Sequence, residues 1–577
     1  MMSNLERLVV LARPDEQLRQ IVTRMGRGSE RVFEMALVVN EYMVLQGVIN
    51  HADVLRFIAD GISLESPVSE VMVRDPITAP VDASDEQILQ AVRSQLFHRT
   101  GGKKDVTRHV PLINENGVVR DVIDVFSLLA RSPRQGDHVE IYGLGFVGLT
   151  LGVALAGRGH FVTGIDTNEP LVEQLLAGKP HVFEPHLSDM MRRALDDNQL
   201  DFRSSPGKEH HRVVIIAVGT PVEDDGSASL SALQAVCKIV GPRLKRGDLV
   251  MLRSTVPVGT TRSFVCELLE EGSNLKAGEE FHLAFTPERT AEGQAMQELS
   301  SLPQIVGGFS NRCTEMATNF WQTLTDSVVR VDSLEAAELV KLINNSYRDL
   351  SFAFANGLAM LADRFNLDAA RVINSANEGY PRNPIPKPSP GVGGYCLTKD
   401  PFLYAAADRE AAYGMLSRFG RMVNQEAGGY PMQVLSRFAE RLGRPLCELS
   451  VLLVGMAFKG WPETNDLRGS TGVDIASELV IKGCEVLGFD AVVDDAAIRD
   501  LGITPVTLHE AASRCDALLI LNNHPNNVQD GLIASLHGRP TLLFDGWSQL
   551  DRYEVEHYEG ITYATMGYMT PEKIGIA

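Results

Sequence analysis

Residues His138-Val-Glu-Ile-Tyr142 run as a short apolar strand straight into Gly143-Leu-Gly-Phe-Val-Gly148, and an apolar, alanine-rich helix follows from Leu149 to Gly157. A second strand, Phe161-Val-Thr-Gly-Ile165, ends in Asp166. A bare GxGxxG is a weak signal. Set between strand and helix, with a carboxylate 18 residues on at the end of the next strand, it dictates a βαβ unit. Gly143 permits the tight turn, Gly145 lets a pyrophosphate reach the helix N-terminus, and Gly148 allows close helix–strand packing. Phe146 and Val147, which open the helix, join the three glycines as cofactor-binding candidates. Asp166 is placed to accept both hydroxyls of a ribose and to repel a 2′-phosphate, which predicts NAD over NADP.

Two further strand candidates extend this sheet. Val213-Val-Ile-Ile-Ala217 leads to Gly219-Thr-Pro221, and Leu249-Val-Met-Leu252 leads to Arg253-Ser-Thr-Val-Pro-Val-Gly-Thr260. Loops after the carboxyl ends of strands line the cofactor crevice of a doubly wound sheet, so Thr220 and Thr255 are contact candidates. Phe285-Thr-Pro-Glu-Arg-Thr-Ala-Glu-Gly293 puts Glu288 and Glu292 where both could face that crevice, although a carboxylate taken alone is more often solvated. These elements define a dinucleotide domain over 137–332.

A long helix starts at Ser333 and runs far past Asn345, opening a helical centre over 333–440 that is expected to carry a dimer interface. Val340, Ile343 and Tyr347 form an apolar stripe, while Glu338, Lys341 and Asn345 share a different face. Lys341 and Asn345, one turn apart, can point donors at one oxygen; on charge pattern alone a solvated face is the commoner outcome. Within this centre, Ser389-Pro-Gly-Val-Gly-Gly-Tyr-Cys-Leu-Thr-Lys-Asp-Pro401 sets a lone cysteine, Cys396, after a glycine-rich turn containing Gly393, with Lys399 and Asp400 close behind. Most lone cysteines are buried and inert. One at the end of such a turn, beside a cation and a carboxylate, has the makings of an activated nucleophile. Residues 446–577 repeat the α/β pattern, with strands at Ser450-Val-Leu-Leu-Val454, Val486-Leu-Gly-Phe489, Ala517-Leu-Leu-Ile-Leu521 and Thr541-Leu-Leu-Phe544. This second Rossmann-like unit lacks a full glycine fingerprint. It could hold another nucleotide, with Lys459 and Arg468 supplying charge for its phosphates.

The first 133 residues carry an internal repeat. Val39-Asn-Glu-Tyr-Met-Val-Leu-Gln-Gly-Val-Ile49 matches Ile113-Asn-Glu-Asn-Gly-Val-Val-Arg-Asp-Val-Ile123, 74 residues on, and Asp15-Glu-Gln17 recurs as Asp85-Glu-Gln87. A four-residue insertion in Gly101-Gly-Lys-Lys-Asp105 reconciles the two offsets. Each half reads as helix, strand, turn, strand, helix. Arg131-Ser-Pro-Arg-Gln-Gly-Asp137 follows as a linker. This module resembles a tandem pair of CBS domains (the cystathionine-beta-synthase type): Gly47-Val-Ile-Asn-His-Ala-Asp53 is similar to that family's signature, and Glu70-Val-Met72 to its usual join. The resemblance implies an adenosine-nucleotide effector with Asp53 on its ribose. The second half has Asp121 in place of Gly47 and Ser127 in place of Asp53, so at most one such site is intact. A structural or dimerising role stands equally open.

In 577 residues, 44% apolar and 22% charged, a net charge of −20 argues against nucleic acid and anionic membrane as partners. The seven cysteines show no CxxC and no metal-ligand spacing, so neither a metal nor a disulfide framework is expected. With no signal pattern and no membrane-length apolar run, the expected location is the cytoplasm.

From 137 to 577 the chain resembles the UDP-glucose/GDP-mannose dehydrogenase family. The carriers are GLGFVG, STVPVGT, PERTAEG, AELVKLINNSYRD, PSPGVGGYCLTKD and AFKGWPETNDLRGS, all in the family's order. The resemblance implies two Rossmann-like domains joined by a long central helix, an NAD cofactor, a UDP-sugar substrate and a homodimer or higher homo-oligomer. It implies four-electron oxidation of a nucleotide sugar's C6 alcohol to a uronic acid through a thiohemiacetal and a thioester on Cys396. Lys341 and Asn345 would then stabilise oxyanions, Asp400 would orient or deprotonate water, Glu292 would assist hydrolysis, and Thr255 would hold a water. Arg382, which the resemblance assigns to a partner subunit's site, Gly393 and Lys459 match substrate contacts; Arg468 matches a residue near the cofactor. Two positions depart from the family, Thr398 where Pro is usual and Gly469 where Glu is frequent. Ala337–Asp349, Ala355-Asn356 and Gly391–Gly394 are similar to the branch acting on UDP-N-acetylhexosamines, and Lys399-Asp400 to the UDP-glucose branch. A UDP-N-acetyl-mannosamine or -glucosamine is therefore expected, with UDP-glucose as the alternative. The rivals are a two-electron hydroxyacid dehydrogenase of the 6-phosphogluconate type and a silent adenylate-sensing scaffold.

Overall fold

A computed structural model describes residues 9–26, 35–50, 61–81, 109–125, 136–223, 226–325, 327–382, 384–406, 411–536 and 538–571, with isolated positions between 53 and 96. Asp85–Gln87, the Gly101–Asp105 insertion, Ser127 and the linker residues 131–135 lie outside the described residues.

The repeat at the front is written into the backbone. Strands β1 (Val10–Ala12), β2 (Met35–Val39) and β3 (Leu45–Asn50) form one sheet; β4 (Ala79–Pro80), β5 (His109–Ile113) and β6 (Val119–Asp124) form another. In each, the first pair is parallel and the second antiparallel, with a register shift at Val38/Val39 and at Leu112/Ile113. The turns match as well. Asn40 Oδ1 accepts from the N–H groups of Tyr42 and Val44, as Asn114 Oδ1 does from Asn116 and Val118. The two hairpins exchange reciprocal bonds, Leu45 N to Gly117 O and Val119 N to Met43 O, both 3.0 Å. In the first half the Asp53 carboxylate is occupied, accepting from Asn50 N (3.0 Å) and pairing with Arg56 (2.9 Å).

Residues 138–331 build an eight-stranded sheet from β7 (His138–Tyr142), β8 (Phe161–Ile165), β9 (Leu200–Arg203), β10 (Val213–Ile216), β11 (Leu249–Leu252), β12 (His282–Phe285), β13 (Gln304–Gly308) and β14 (Val328–Val331), in the order β14-β13-β12-β11-β10-β7-β8-β9. All pairs are parallel except β12 with β13. Strands such as Val213–Ile216 and Leu249–Leu252 are buried at every residue, as their unbroken apolar runs require of a sheet covered on both faces. A second sheet, parallel except for β20 with β21, orders β15 (Ser450–Val454), β16 (Glu485–Phe489), β17 (Thr504–Pro505), β18 (Ala517–Ile520), β19 (Thr541–Asp545), β20 (Ile561–Thr565) and β21 (Tyr568–Met569) as β17-β16-β15-β18-β19-β20-β21. In both sheets the order reverses beside the first strand, opening a crevice between β7 and β10 and another between β15 and β18.

The helix Leu334–Asp363 lies between the two sheets in the chain, its N-terminus capped by Ser333, whose side chain accepts from Ala336 N. Its polar face is the buried one. Glu338, Lys341 and Asp349 are buried with it, whereas Ile343 and Tyr347 of the apolar stripe are 44% and 76% exposed. Phe354, and Leu416, Phe419 and Met422 of the helix Ala412–Gly428, extend the exposed apolar surface. No described helix is long and apolar enough to cross a membrane.

Candidate active site

The glycine turn is shaped for a ligand. Gly143 has φ 92°, and a Cβ there would lie 2.7 Å from Ala217 O. A Cβ on Gly148 would sit 1.8 Å from Gly143 O, so the helix Phe146–Ala156 presses directly on the turn. A Cβ on Gly145 would meet nothing within 4 Å. Gly145 is also the N-cap, with no side chain capping the helix, so free N–H groups face an open cradle. Asp166, at the end of β8, accepts from Leu144 N (2.8 Å) and Asn168 N (3.0 Å), which fixes its carboxylate at the rim of that cradle. Cradle, uncapped helix and rim carboxylate together fit a dinucleotide such as NAD.

Cys396 is the second residue of the helix Tyr395–Ala405, which starts at Gly394 with φ 87°. Cys396 opens onto the cleft, yet burial of its sulfur between the cleft walls holds the thiol above its ordinary value. Lys341 and Lys399 pull it down; Asp400 and Glu292 push it further up. The resting nucleophile is therefore a protonated thiol, and its activation depends on Lys341 and on a group that takes the proton. Asn345 Nδ2 donates to Asp400 Oδ2 (2.5 Å), and Lys399 Nζ pairs with Asp400 Oδ1 (2.8 Å). Asp400 is wholly buried, so both of its oxygens serve to hold Asn345 and Lys399. Glu338, one turn before Lys341, accepts from Gly259 N (2.5 Å), Thr261 N (2.8 Å) and Thr261 Oγ1 (2.5 Å), tying the loop that contains Thr255 to the central helix. Thr220 points inward, its hydroxyl donating to Thr255 O (2.5 Å).

The opposite wall comes from the second sheet. Lys459 Nζ donates to Glu292 O (2.7 Å), and Thr464 Oγ1 donates to Glu292 Oε2 (3.1 Å). Burial raises the Glu292 carboxyl, with Asp466 acting the same way and Thr464, Lys459 and Arg468 opposing. Burial likewise holds Lys459 below its ordinary value. Arg468 pairs with Asp466 (2.7 Å), reaches toward Glu292 (3.9 Å) and stacks 4.9 Å from the centroid of the Tyr395 ring. Gly393 approaches this wall so closely that a Cβ on it would lie 2.4 Å from Gly469 O.

Cys396, Lys341, Asn345, Asp400, Glu292, Lys459 and Arg468 thus converge on one cleft. Arg382 does not join them; it is exposed and its described partner is Tyr380, 3.4 Å away. Glu288 stands behind the cleft, buried in an ion pair with Arg253 (2.5 Å) and close enough to Lys341 to feel its charge. Thr398 and Gly469, the two departures, touch each other, 3.4 Å separating a Gly469 Cβ from Thr398 Cγ2. Three residues to which the motifs assign no role also line or brace the cleft, Asn465 within a quoted motif and the other two outside any. His181 lies near Asp166 and Arg468, and burial, helped by Arg468, holds its imidazole below the ordinary value. Glu184 accepts from Gly293 N (2.7 Å) and Met296 N (3.2 Å), and Asn465 Oδ1 accepts from Phe183 N (3.2 Å). The short run Pro180–His186 gave no periodic signal; only the fold brings it to the cleft.

Comparison with known proteins places this geometry in context. Sequence profiles of the UDP-glucose/GDP-mannose dehydrogenase family match three successive segments: the NAD binding domain at residues 137–325, the central domain at 335–426 and the UDP binding domain at 452–552. An NDP-N-acetyl-D-galactosaminuronic acid dehydrogenase of Ralstonia solanacearum is 32% identical over 398 residues, covering 67% of this chain and 90% of that protein. A UDP-N-acetyl-D-mannosamine dehydrogenase of Yersinia pestis is 31% identical over 405 residues, covering 67% and 94%. Among solved structures, a UDP-D-ManNAc dehydrogenase from Pyrococcus horikoshii superposes with a TM-score of 0.67 at 27% identity, covering 74% of this chain and 99% of that one. A UDP-glucose dehydrogenase from Pyrobaculum islandicum gives 0.65 at 29% identity, covering 76% and 99%.

Proposed function

The chain belongs to the UDP-glucose/GDP-mannose dehydrogenase family, and from that premise we propose that it oxidises the C6 alcohol of a UDP-N-acetylhexosamine, the manno or gluco epimer, to the uronic acid, releasing two NADH per sugar. The observation that carries this reading is the exposed thiol of Cys396, set between an NAD cradle and a second sheet that presents Lys459. Bound NAD supplies the hydride acceptor for two successive two-electron oxidations.

Cys396 Sγ adds to the C6 aldehyde; as the S–C bond forms the carbonyl π bond breaks, and the thiol proton ends on the former carbonyl oxygen of the thiohemiacetal. Lys341 and Asn345 face the oxygen that gains charge at each addition. Asn345 is held for this by Asp400. Oxidation of the adduct leaves a thioester, which water, held by Thr255 and drawn on by Glu292, cleaves to the carboxylate and the free thiol. A carboxyl raised by burial, as Glu292 is, suits proton exchange nearer neutrality. Arg468, stacked on Tyr395 and close to Asp166's side of the cleft, belongs to the cofactor's surroundings. Arg382, exposed in its own chain, fits a contribution to a partner subunit's substrate site. The exposed Ile343, Tyr347, Phe419 and Met422 supply an apolar face for such a homo-oligomer.

The chain then divides into a regulatory or dimerising CBS-type pair (1–133), an NAD-binding domain (137–332), a helical centre with the cysteine loop (333–440) and a UDP-sugar domain (446–577), working in the cytoplasm. The reciprocal hairpin bonds of the front repeat support the CBS-type reading, with an adenosine nucleotide near Asp53 as the effector of a regulatory pair and a dimerising role as the alternative. The test is NADH counted per sugar consumed with UDP-glucose, UDP-GlcNAc, UDP-ManNAc and GDP-mannose. Two NADH from a UDP-N-acetylhexosamine is the expected result. Two NADH from UDP-glucose alone moves the substrate to the alternative, and one NADH per sugar overturns the thioester route.

A further inference from the structure

The loop that delivers Cys396 is fastened at four successive residues. Ser389 N donates to Asn356 Oδ1 (2.8 Å), and Pro390 O accepts from Thr471 Oγ1 (2.6 Å). Gly391 O accepts from Ser389 Oγ (2.7 Å), and Val392 O accepts from the Arg421 guanidinium (3.4 and 3.5 Å). Behind the loop stands a buried polar network with no part in the chemistry described above. Arg421 Nη1 pairs with Asp349 Oδ1 (2.6 Å); Asn424 Nδ2 donates to the same oxygen (2.8 Å) and to Asp349 O (3.0 Å); Asn356 Nδ2 donates to Asn424 Oδ1 (2.9 Å). Asp349 and Asn356 are fully buried and Asn424 is 1% exposed. A network of this kind costs desolvation and makes a weak general stabiliser; what it provides here is a fixed loop.

We infer that Arg421 is a positioning residue for Cys396, acting through Asp349 and the Val392 carbonyl, an inference that rests on the dehydrogenase reading given above. Among the described residues of the network, Arg421 alone hydrogen-bonds to both the buried carboxylate and the cysteine loop. From Val392 the chain passes to Gly393, which abuts Gly469 O, and to Gly394, which starts the cysteine helix, so a shift at Val392 is carried to the sulfur. Without Arg421 the Asp349 carboxylate loses its counter-charge, and the burial that already raises it drives it to take up a proton. Asn424 then keeps a weaker acceptor, and Val392 O has none of its present donors. Arg421 also borders a cavity of about 320 Å³ shared with Val392, Asn424 and Thr398, wide enough for a small cation to reach the vacated place.

The experiment uses the full chain with Arg421→Ala. The expected result is a fall in kcat of about tenfold to a hundredfold, the scale of a misplaced reacting group, with the KM for NAD unchanged. Added guanidinium ion restores part of the loss. Alkylation of Cys396 by iodoacetamide, followed on its own peptide, is faster in the variant because the crowding that raises the thiol is relieved, and guanidinium slows it again. Unchanged kcat, or a loss in folded protein that guanidinium does not repair, overturns the assignment. Should Arg421→Ala not fold, Arg421→Gln is read the same way. If the wild-type chain turns over no nucleotide sugar, the functional reading fails while the alkylation rates still decide the positioning, equal rates overturning it.

Discussion

The two mostly parallel sheets share a strand order and a turn, yet they prepare opposite surfaces. Each follows its first strand with a left-handed glycine, Gly143 at φ 92° and Gly455 at φ 91°, whose N–H bonds the end of the second strand. Each then places an aspartate after that second strand, Asp166 and Asp490. Asp166 accepts from two backbone N–H groups and overlooks an uncapped helix N-terminus. Asp490 accepts from four, those of Met456, Ala457, Val492 and Val493, and its helix begins only after the long segment 455–470, capped by Ser470. One topology thus leaves amide donors open for phosphate, and the other closes them internally and offers Lys459 from the inserted segment. The loop after the first strand, not the sheet, decides what is bound.

The nucleophile comes from neither sheet, and this gives the largest expected effect. Cys396→Ser should lower turnover to the acid by on the order of 10⁴ or more, while calorimetry still shows both NAD and the UDP-sugar binding. Retained production of two NADH per sugar would end the thioester assignment. Next comes the contrast between the two aspartates. Asp166→Asn should weaken NAD about tenfold to a hundredfold, the worth of hydrogen bonds to a charged acceptor. Asp490→Asn should leave the NAD Kd alone and lower unfolding stability by about 1–3 kcal/mol. Equal loss of NAD affinity in both variants would break the comparison.

Motifs that are local in sequence were legible; contacts made at long range were not. The strand–glycine–helix unit, its aspartate and the Lys341–Asn345 pair are fixed by neighbours three to four residues away or by one βαβ unit. Cys396 was legible as a residue but not in its state: the glycine turn suggests an activated thiol, whereas burial keeps it protonated. Asp400, expected to orient or deprotonate water, also holds Asn345 and Lys399, and sequence cannot show those two contacts. Glu338 looked like one member of a charged face and is a clamp on the Thr255 loop. The partners of Asp349, 72 and 75 residues away, have no signature, since a hydrogen bond between packed helices leaves no period in the chain.

The second sheet's contribution can be sharpened with Lys459→Met, which should raise the KM for the UDP-sugar about tenfold, the value of one charge-assisted hydrogen bond, and leave the KM for NAD unchanged. Glu292, supplied by the first sheet's segment to the second sheet's wall, tests the seam by pH. Its folded carboxyl is raised by burial above the ordinary 4.5. A base works deprotonated, so the acid limb of kcat should lie above the ordinary carboxylate range, and Glu292→Gln should abolish that limb. The stability sign is opposite. A raised carboxyl opposes folding as pH climbs through and beyond 4.5, so Glu292→Gln should melt higher than wild type at neutral pH and equally in acid.

The smallest effect sets the two helix N-termini against each other. Ser470 Oγ accepts from Gly472 N (3.1 Å) and donates to Met456 O (2.6 Å), closing the second helix with its own side chain. Ser470→Ala should therefore lower stability by about 1 kcal/mol, the usual worth of such a cap, without touching NAD. Gly145→Ser is the reciprocal change. Its Cβ meets nothing within 4 Å, so the hydroxyl can cap the first helix and gain a few tenths of a kcal/mol, on the order seen for Gly-to-Ser caps. The same hydroxyl occupies the cradle, so the gain should come with weaker NAD binding. A Gly145→Ser chain that is more stable and binds NAD as well as wild type would show that the open N-terminus is not where the pyrophosphate rests. The division of labour between the two sheets would then have to be drawn elsewhere.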